Sequence, residues 1–313
     1  MHIFLQFVLL VVGFVLLVKG ADFFVEGASG IAGKFGIPQL VIGLTIVAMG
    51  TSAPEAAVSI TAALSGGEGV DLTIGNVVGS NIMNILVILG ITAVIIPVAI
   101  QKSTLQIELP FMIAMTVLLV ALGMTGNEIT RVEGVIFWAF FLLYMAYLLW
   151  MAKKGKEETE EEHAEKRIWV LLIFTVLGAV SIVFGSDLVV DSASEIAGFF
   201  GVSQRGIGLT IVAFGTSLPE LVTSVTAAKR GKADIAIGNI VGSNVFNILF
   251  VVGTTALITP VAYAKSFLID GILAIVAGIV LLLGVLRKQE LRRPVGILML
   301  LVYAGYFVYL MIP

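Results

Sequence analysis

Residues 49–55 read Met-Gly-Thr-Ser-Ala-Pro-Glu, and residues 214–220 read Phe-Gly-Thr-Ser-Leu-Pro-Glu. Each stretch places a glutamate directly after a proline, in sequence that is otherwise almost entirely apolar. Proline has no backbone N–H, so the glycine carbonyl four residues earlier loses its helical hydrogen bond. The two stretches therefore predict two apolar helices that are broken beside a buried acid.

The composition is that of a membrane protein. Hydrophobic residues make up 59% of the 313 residues and charged residues 12%, with a mean hydropathy of +1.10, whereas soluble domains carry about 25% charged residues. A spanning helix needs about 20 apolar residues. We predict an all-α integral membrane protein whose ten transmembrane helices cover 3–32, 38–63, 72–98, 105–123, 132–151, 168–198, 205–228, 235–259, 266–286 and 294–312.

The chain contains an internal duplication. "GLTIVAMGTSAPE" at 43–55 and "GLTIVAFGTSLPE" at 208–220 differ at two positions, and "GNVVGSNIMNIL" at 75–86 is matched by "GNIVGSNVFNIL" at 238–249. A period of about 165 residues is too long for a solenoid unit. We predict a first five-helix repeat over 1–152, a short charged cytoplasmic linker over 153–166 and a second five-helix repeat over 167–313.

An odd number of helices in each repeat requires the second repeat to be inverted in the membrane. Lys and Arg concentrate in cytoplasmic loops. Placing the linker in the cytoplasm leaves only Arg131, Arg205 and Lys265 outside, with Lys19 inside the first helix. We therefore expect a multi-pass protein of the cell (plasma) membrane with both termini extracytoplasmic. Inverted repeats are typical of secondary transporters, which bind their substrate at the repeat interface near mid-membrane.

The two proline motifs supply oxygen ligands. A carboxylate within a membrane span costs at least about 2.5 kcal/mol and is a functional candidate by default. Helical spacing places hydroxyls and backbone carbonyls beside each acid, and the alanines can contribute only their carbonyl oxygens. The candidate ligands from these motifs are Glu55, Thr51, Ser52 and Ala48 in the first repeat, and Glu220, Thr216, Ser217 and Ala213 in the second.

The second pair of motifs adds Ser80 and Asn84, and in the other repeat Ser243 and Asn247. The two asparagines lie among apolar neighbours, where they either coordinate an ion or form interhelical hydrogen bonds. All of these groups are hard oxygen donors, of which calcium takes six to eight. Helices 2, 3, 7 and 8 are then expected to be interrupted around a central metal site. Use of the same acids by Ca²⁺ or by Na⁺, but not by both together, would produce exchange.

"GTSAPE" and "GTSLPE", each followed by "GNxxGSN", resemble the paired alpha-repeats of the sodium/calcium exchanger family, within the cation/calcium antiporter superfamily. The resemblance covers essentially the whole chain and is to a prokaryotic-type member without a regulatory domain. It implies that helices 1 and 6 slide past a core, that a monomer suffices, and that Glu55 and Glu220 are the central ligands of transported Ca²⁺ and Na⁺. Asn247 stands where some members have Asp, which weakens the case for potassium co-transport.

The sequence leaves other functions open. Glutamates also carry protons, so H⁺/Ca²⁺ antiport and K⁺-dependent Na⁺/Ca²⁺ antiport are the alternatives within the superfamily. A passive cation channel is a third possibility. We expect no enzyme activity, because the chain has no cysteine and its two histidines lie outside the predicted spans. We also expect no cofactor and no nucleic-acid partner. Asp22 and Asp187 match between the repeats and are either gate-lining or interfacial residues.

Overall fold

The computed structural model of the protein describes residues 2–65, 72–158, 166–201 and 213–311. In the first repeat the elements are α1 (His2–Phe35), α2 (Gln39–Thr51), α3 (Ala53–Leu64), α4 (Thr73–Ile95), β1 (Val98–Ala99), α5 (Thr104–Gly126), β2 (Glu128–Ile129) and α6 (Arg131–Glu158). In the second repeat they are α7 (Ile168–Phe199), α8 (Ala213–Gly215), α9 (Leu218–Lys229), α10 (Ala233–Ile258), β3 (Val261–Ala262), α11 (Phe267–Val285), β4 (Glu290–Leu291) and α12 (Arg293–Met311).

Nine of the predicted spans have a helical counterpart within a few residues of the predicted bounds. Eight described helices are long and apolar enough to cross a membrane, and the bent pair α2–α3 forms a ninth candidate. The seventh predicted span, 205–228, is described only from residue 213, and α8 and α9 account for most of that described part. Residues 202–212, with part of that span and Arg205, lie outside the described residues, as does half of the predicted linker, 159–165.

The predicted break after the first glycine motif is present. The helix axis turns by 51° between α2 and α3. Ser52 at the junction departs from α-helical geometry, with φ −88° and ψ 6°. At the matching place in the second repeat, Ser217 has φ −95° and ψ 2° between α8 and α9. Both prolines occupy the first turn of the following helix, where the missing N–H costs no hydrogen bond.

Helices α4 and α10 take a different form at their asparagine motifs. Each continues without a break through a π-helical segment, Asn84–Leu89 in α4 and Asn247–Val252 in α10. In a π-helical turn the backbone hydrogen bonds join residues five apart instead of four, which widens the helix locally. Such turns occur frequently at functional sites. The interruption that the sequence predicted in helices 3 and 8 is thus observed only as a widened turn that begins at an asparagine.

Two short antiparallel strand pairs connect the repeats. β1 pairs with β4, with Val98 opposite Leu291, and β2 pairs with β3, with Ile129 opposite Val261. The helix α5 runs between β1 and β2, so the two pairs lie at opposite ends of a helix about 35 Å long. Equivalent strands, such as β1 and β3, therefore lie at opposite ends of the molecule, which is the arrangement that inverted repeats require.

The centre of the molecule is built from both repeats. In the apolar central stretches of α4 and α10, 78% and 94% of the residues are buried, whereas in that of α1 only 17% are buried. Glycine permits α10 to lie directly against α2, because a Cβ on Gly242 would stand 2.7 Å from the carbonyl oxygen of Leu44. The long helices α1 and α7 also approach closely at glycines: a Cβ on Gly20 would lie 3.0 Å from the carbonyl oxygen of Gly178.

Four charged residues, here named the Arg230 cluster, link α1 to neighbouring elements. Arg230, just after α9, donates to Asp22 at 2.8 Å through Nη2 and at 3.1 Å through Nε, and to Glu26 at 3.4 Å through Nη1. Lys166 donates to Glu26 as well. Asp22, whose role the sequence left open, is therefore an ion-pair partner between α1 and the end of α9. The position that aligns with Arg230 in the first repeat is Ser65, which carries no charge.

A cavity of about 390 Å³ adjoins this cluster. Its walls come from α1, the end of α4 and α9, and include Asp22, Ile91, Leu221, Thr226 and Arg230. Leu221 follows Glu220 directly in the chain. The cavity thus extends from the ionic groups at the end of α9 to the helical turn that carries the buried acid.

Candidate ion-binding site

The two acids lie at the starts of the helices that follow the breaks. Glu55 is in the first turn of α3 and Glu220 in the first turn of α9. The exposed backbone N–H groups and the dipole at a helix N-terminus favour a negative charge. The proline-induced break therefore creates, within an apolar region, a local environment that tolerates a carboxylate.

The structure brings the two carboxylates together. Ser52, three residues before Glu55, donates from Oγ to Oε1 of Glu220 at 2.9 Å. The two acids are near enough to repel one another electrostatically, and Glu55 and Glu220 are only 2% and 1% exposed. Two buried like charges are unfavourable unless a cation or proton lies between them.

Ala48 forms a further contact of the site with α10. Its carbonyl oxygen accepts from Thr51 Oγ1 at 3.3 Å and from Ser243 Oγ at 3.4 Å. Thr51 also donates to Oδ1 of Asn239 at 3.0 Å. Three ligands predicted from sequence, two from the first repeat and one from the second, therefore meet at a single carbonyl group.

Four asparagines form a nearly twofold-symmetric cluster between α4 and α10. Asn84 Nδ2 donates to Asn244 Oδ1 at 2.9 Å, and Asn247 Nδ2 donates to Asn81 Oδ1 at 3.2 Å. Asn81 and Asn244 each donate to the other's backbone carbonyl at 3.2 Å. The amide nitrogens of Asn84 and Asn247 therefore make interhelical hydrogen bonds, which was one of the two alternatives for these residues.

The oxygens of the same two amides remain unpartnered. Among the described side chains, the buried oxygens that lack a hydrogen-bond partner include five that belong to predicted ligands: Glu55 Oε2, Glu220 Oε2, Asn84 Oδ1, Asn247 Oδ1 and Ser217 Oγ. The helix α3 packs against the π-helical segment that begins at Asn247, and α9 packs against the one that begins at Asn84. Each unpaired buried acceptor costs about 1–3 kcal/mol, so these oxygens favour a bound partner.

All five atoms are candidate ligands of a hard cation. They are carboxylate, amide and hydroxyl oxygens, which are the ligand types that calcium takes in proteins. Nitrogen or sulfur ligands, which zinc and copper prefer, do not occur among the five. The chemistry of the unpartnered atoms thus fits Ca²⁺ or Na⁺ better than a transition metal.

The remaining predicted ligands are less fully defined. Ser80 is buried in α4 one turn before Asn84. Thr216 lies in the turn between α8 and α9, and Ala213 begins α8. These positions are compatible with the predicted set and leave the roles of Ser80, Thr216 and Ala213 as predictions.

Sequence reasoning passed over four asparagines of the same motifs, Asn76, Asn81, Asn239 and Asn244. The last three are at most 3% exposed, and Asn239 contacts Thr51, Ser224 and the backbone of Glu220. Asn76, its counterpart in the first repeat, donates to Ser59 at 3.3 Å, just as Asn239 donates to Ser224 at 3.0 Å. The signal in the sequence was their occurrence in both copies of the "GNxxGSN" motif.

Comparison with known proteins follows the same division into two repeats. The profile of the family described as "Sodium/calcium exchanger protein" matches residues 5–150 and 170–312. The chain belongs to this family. The predicted resemblance is therefore confirmed, and ion transport by antiport across a membrane is the activity of the family.

Individual relatives agree with the assignment to the exchanger family. The "Putative antiporter CaxA" of Alkalimonas amylolytica is 41% identical over 96% of this chain and 96% of its own length. The "Sodium/calcium exchanger MaX1" of Methanosarcina acetivorans is 32% identical over 97% and 98%. Among solved structures, the sodium-calcium exchanger NCX_Mj, from crystals soaked without Na⁺ and Ca²⁺, matches with a TM-score of 0.85 and 30% identity over 98% of this chain and 99% of that chain.

Proposed function

We propose that this exchanger-family protein is a secondary active antiporter that exchanges Na⁺ for Ca²⁺ by alternating access. The observation that carries the proposal is the set of five unpartnered buried oxygens on predicted ligands, which includes one carboxylate oxygen each of Glu55 and Glu220. Sequence similarity to a protein named as a sodium/calcium exchanger over nearly its whole length supports Na⁺ as the coupling ion.

The two carboxylates account for exchange rather than leak. One Ca²⁺ neutralises both acids, and two or more Na⁺ ions do so together, so each ion excludes the other from the same charges. The ligand set comprises Glu55, Glu220, Thr51, Thr216, Asn84, Asn247, Ser52, Ser217, Ser80, Ser243, Ala48 and Ala213. Two buried acids without a bound cation repel one another, which disfavours passage through the membrane of an empty, fully charged site.

The proposed topology has ten spans in two inverted repeats, 1–152 and 167–313, joined by the cytoplasmic linker 153–166. Both termini are extracytoplasmic, the protein resides in the plasma membrane, and a monomer suffices. The exchange of strands between the repeats at both ends supports inversion. The basic residues around β4, Arg287, Lys288, Arg292 and Arg293, support a cytoplasmic location of that end.

The test is Ca²⁺ uptake into proteoliposomes driven by an outward Na⁺ gradient. We expect Glu55→Gln and Glu220→Gln each to reduce the uptake at least about 100-fold, because each removes one of two charges that balance a divalent ion. The matched control is Glu108→Gln. Glu108 is also a completely buried glutamate, but it lies on α5 and accepts a hydrogen bond from Tyr147, so this variant should retain uptake.

Two outcomes would overturn the proposal. Uptake that follows an imposed pH gradient and ignores Na⁺ would identify an H⁺/Ca²⁺ antiporter. Flux that neither saturates nor needs a counter-ion would identify a passive channel.

A further inference from the structure

The hydrogen bonds of Asn239 link three elements around the candidate site. Its amide nitrogen donates to Ser224 Oγ at 3.0 Å and to the backbone carbonyl of Glu220 at 3.4 Å, both on α9. Its amide oxygen accepts from Thr51 Oγ1 on α2 at 3.0 Å. Asn239 itself is on α10 and is fully buried, so one side chain connects α10 with the α2 break in the first repeat and with α9 in the second.

The Thr51 hydroxyl has more than one possible acceptor but a single proton. Besides the amide oxygen of Asn239, the hydroxyl lies 3.3 Å from the carbonyl oxygen of Ala48, which is itself a proposed ligand. A hydroxyl that donates to the Ala48 carbonyl occupies one of its lone pairs and so competes with a cation for that oxygen. A hydroxyl that donates to Asn239 instead leaves the Ala48 carbonyl and its own oxygen lone pairs available to a cation.

We infer that Asn239 is a positioning residue that keeps Thr51 oriented as a cation ligand. Asn239 does not touch the ion and acts through the Thr51 hydroxyl. The inference rests on the proposed function for any effect on transport. What it predicts directly is a change in the affinity for cations. Asparagine suits the position because it offers a donor to α9 and an acceptor to Thr51 from one amide group.

The removal of this acceptor has a defined direction. In Asn239→Leu the Thr51 proton turns to the Ala48 carbonyl and competes with the cation for that oxygen. We expect the apparent dissociation constants for Ca²⁺ and Na⁺ to rise about tenfold, while the maximal rate of exchange changes less than about threefold, since the carboxylates themselves are intact.

The experiment is a double-mutant cycle read by titration of the purified protein with Ca²⁺ and with Na⁺. The variants are Asn239→Leu, Thr51→Val and the double variant, and coupling appears as non-additive changes in affinity. If Asn239 acts through Thr51, the double variant binds as weakly as Thr51→Val alone, within about twofold. Fully additive losses, or unchanged affinity with a lowered maximal rate, would overturn the inference.

Two further variants keep the inference testable. Ser224→Ala removes another partner of Asn239 and leaves the Thr51 bond in place, so it should bind both cations like the parent. If Asn239→Leu does not fold, Asn239→Asp retains the acceptor oxygen. Thr51→Val should then weaken binding as much in the Asn239→Asp protein as in the parent, and a Thr51→Val substitution without effect there would contradict the inference.

The binding readout separates this inference from the exchange proposal. A parent protein that binds Ca²⁺ but shows no Na⁺-driven flux would defeat the proposed exchange, while the cycle would still test Asn239. A parent protein that binds neither Ca²⁺ nor Na⁺ would overturn both.

Discussion

Replacing Arg230 by glutamine should open the cavity that adjoins the Arg230 cluster. Arg230 joins α9 to Asp22 and Glu26 of α1, and each of these three side chains is about one third exposed (31–36%). Exposed ion pairs contribute about 0.2–1 kcal/mol each, so the two pairs together stabilise the contact between α1 and the end of α9, here called the closed arrangement, by about 1 kcal/mol. That value corresponds to about a fivefold change in the ratio of molecules with this contact to molecules without it.

The assay uses the absence of cysteine from the chain. Thr226 lines the cavity, so the thiol of Thr226→Cys reports its accessibility to a membrane-impermeant maleimide. With Thr226→Cys in both proteins, we expect labelling about five times faster when Arg230→Gln is added. At 1 M choline chloride the protein with Arg230 intact should be labelled about as fast as the Arg230→Gln variant, because salt screens exposed charges.

Lys229→Gln provides a charge-matched control. Lys229 also lines the cavity, yet the described residues include no ion-pair partner for it. An equal acceleration by Lys229→Gln would show that net charge, not the Asp22 and Glu26 contacts, sets the labelling rate. Unchanged labelling in Arg230→Gln would refute the assignment of the cluster as a closing contact.

Two other features give direct tests. Gly242→Ala places a methyl group 2.7 Å from the Leu44 carbonyl oxygen, an overpacking that typically costs about 1–3 kcal/mol, so we expect a lower melting temperature in detergent. The control is Gly305→Ala, whose methyl group would meet no described atom within 4 Å beyond its chain neighbours and the nearby backbone of its own helix. Equal melting temperatures of the two variants would contradict the packing. Ala99 lies opposite Glu290 in the β1–β4 pair, so Ala99→Cys with Glu290→Cys should form a disulfide on mild oxidation. The mismatched pair of Ala99→Cys with Ala262→Cys should not form one, since β1 and β3 lie at opposite ends, and its cross-linking would argue against inverted repeats.

The sequence was sufficient to locate most of the fold, because the hydrophobic length of a span and the φ preference of proline are local properties. It placed the break beside Glu55 and predicted that Glu55 and Glu220 come together. It did not decide how Asn84 is used: the structure shows the interhelical hydrogen bond from its amide nitrogen to Asn244, whereas ion coordination by its unpartnered oxygen stays a prediction.

Other features depend on contacts between distant parts of the chain. Arg230 pairs with Asp22 across 208 positions of sequence, and Asn239 bonds Thr51 across 188. Neither residue has a spacing pattern that identifies its partner, because such pairs exist only once the helices have packed. The π-helical turns at Asn84 and Asn247 likewise have no distinct sequence signature.

The strand pairs bear on how such a chain arose. β1 with β4 and β3 with β2 are the same contact, seen once from each repeat. A contact that recurs when two partners are interchanged is isologous, the form found in twofold-symmetric dimers. The asparagine cluster obeys the same rule. An ancestral five-helix chain could therefore have made every one of these bonds with a second, antiparallel copy of itself, before fusion of two genes joined the copies into one polypeptide.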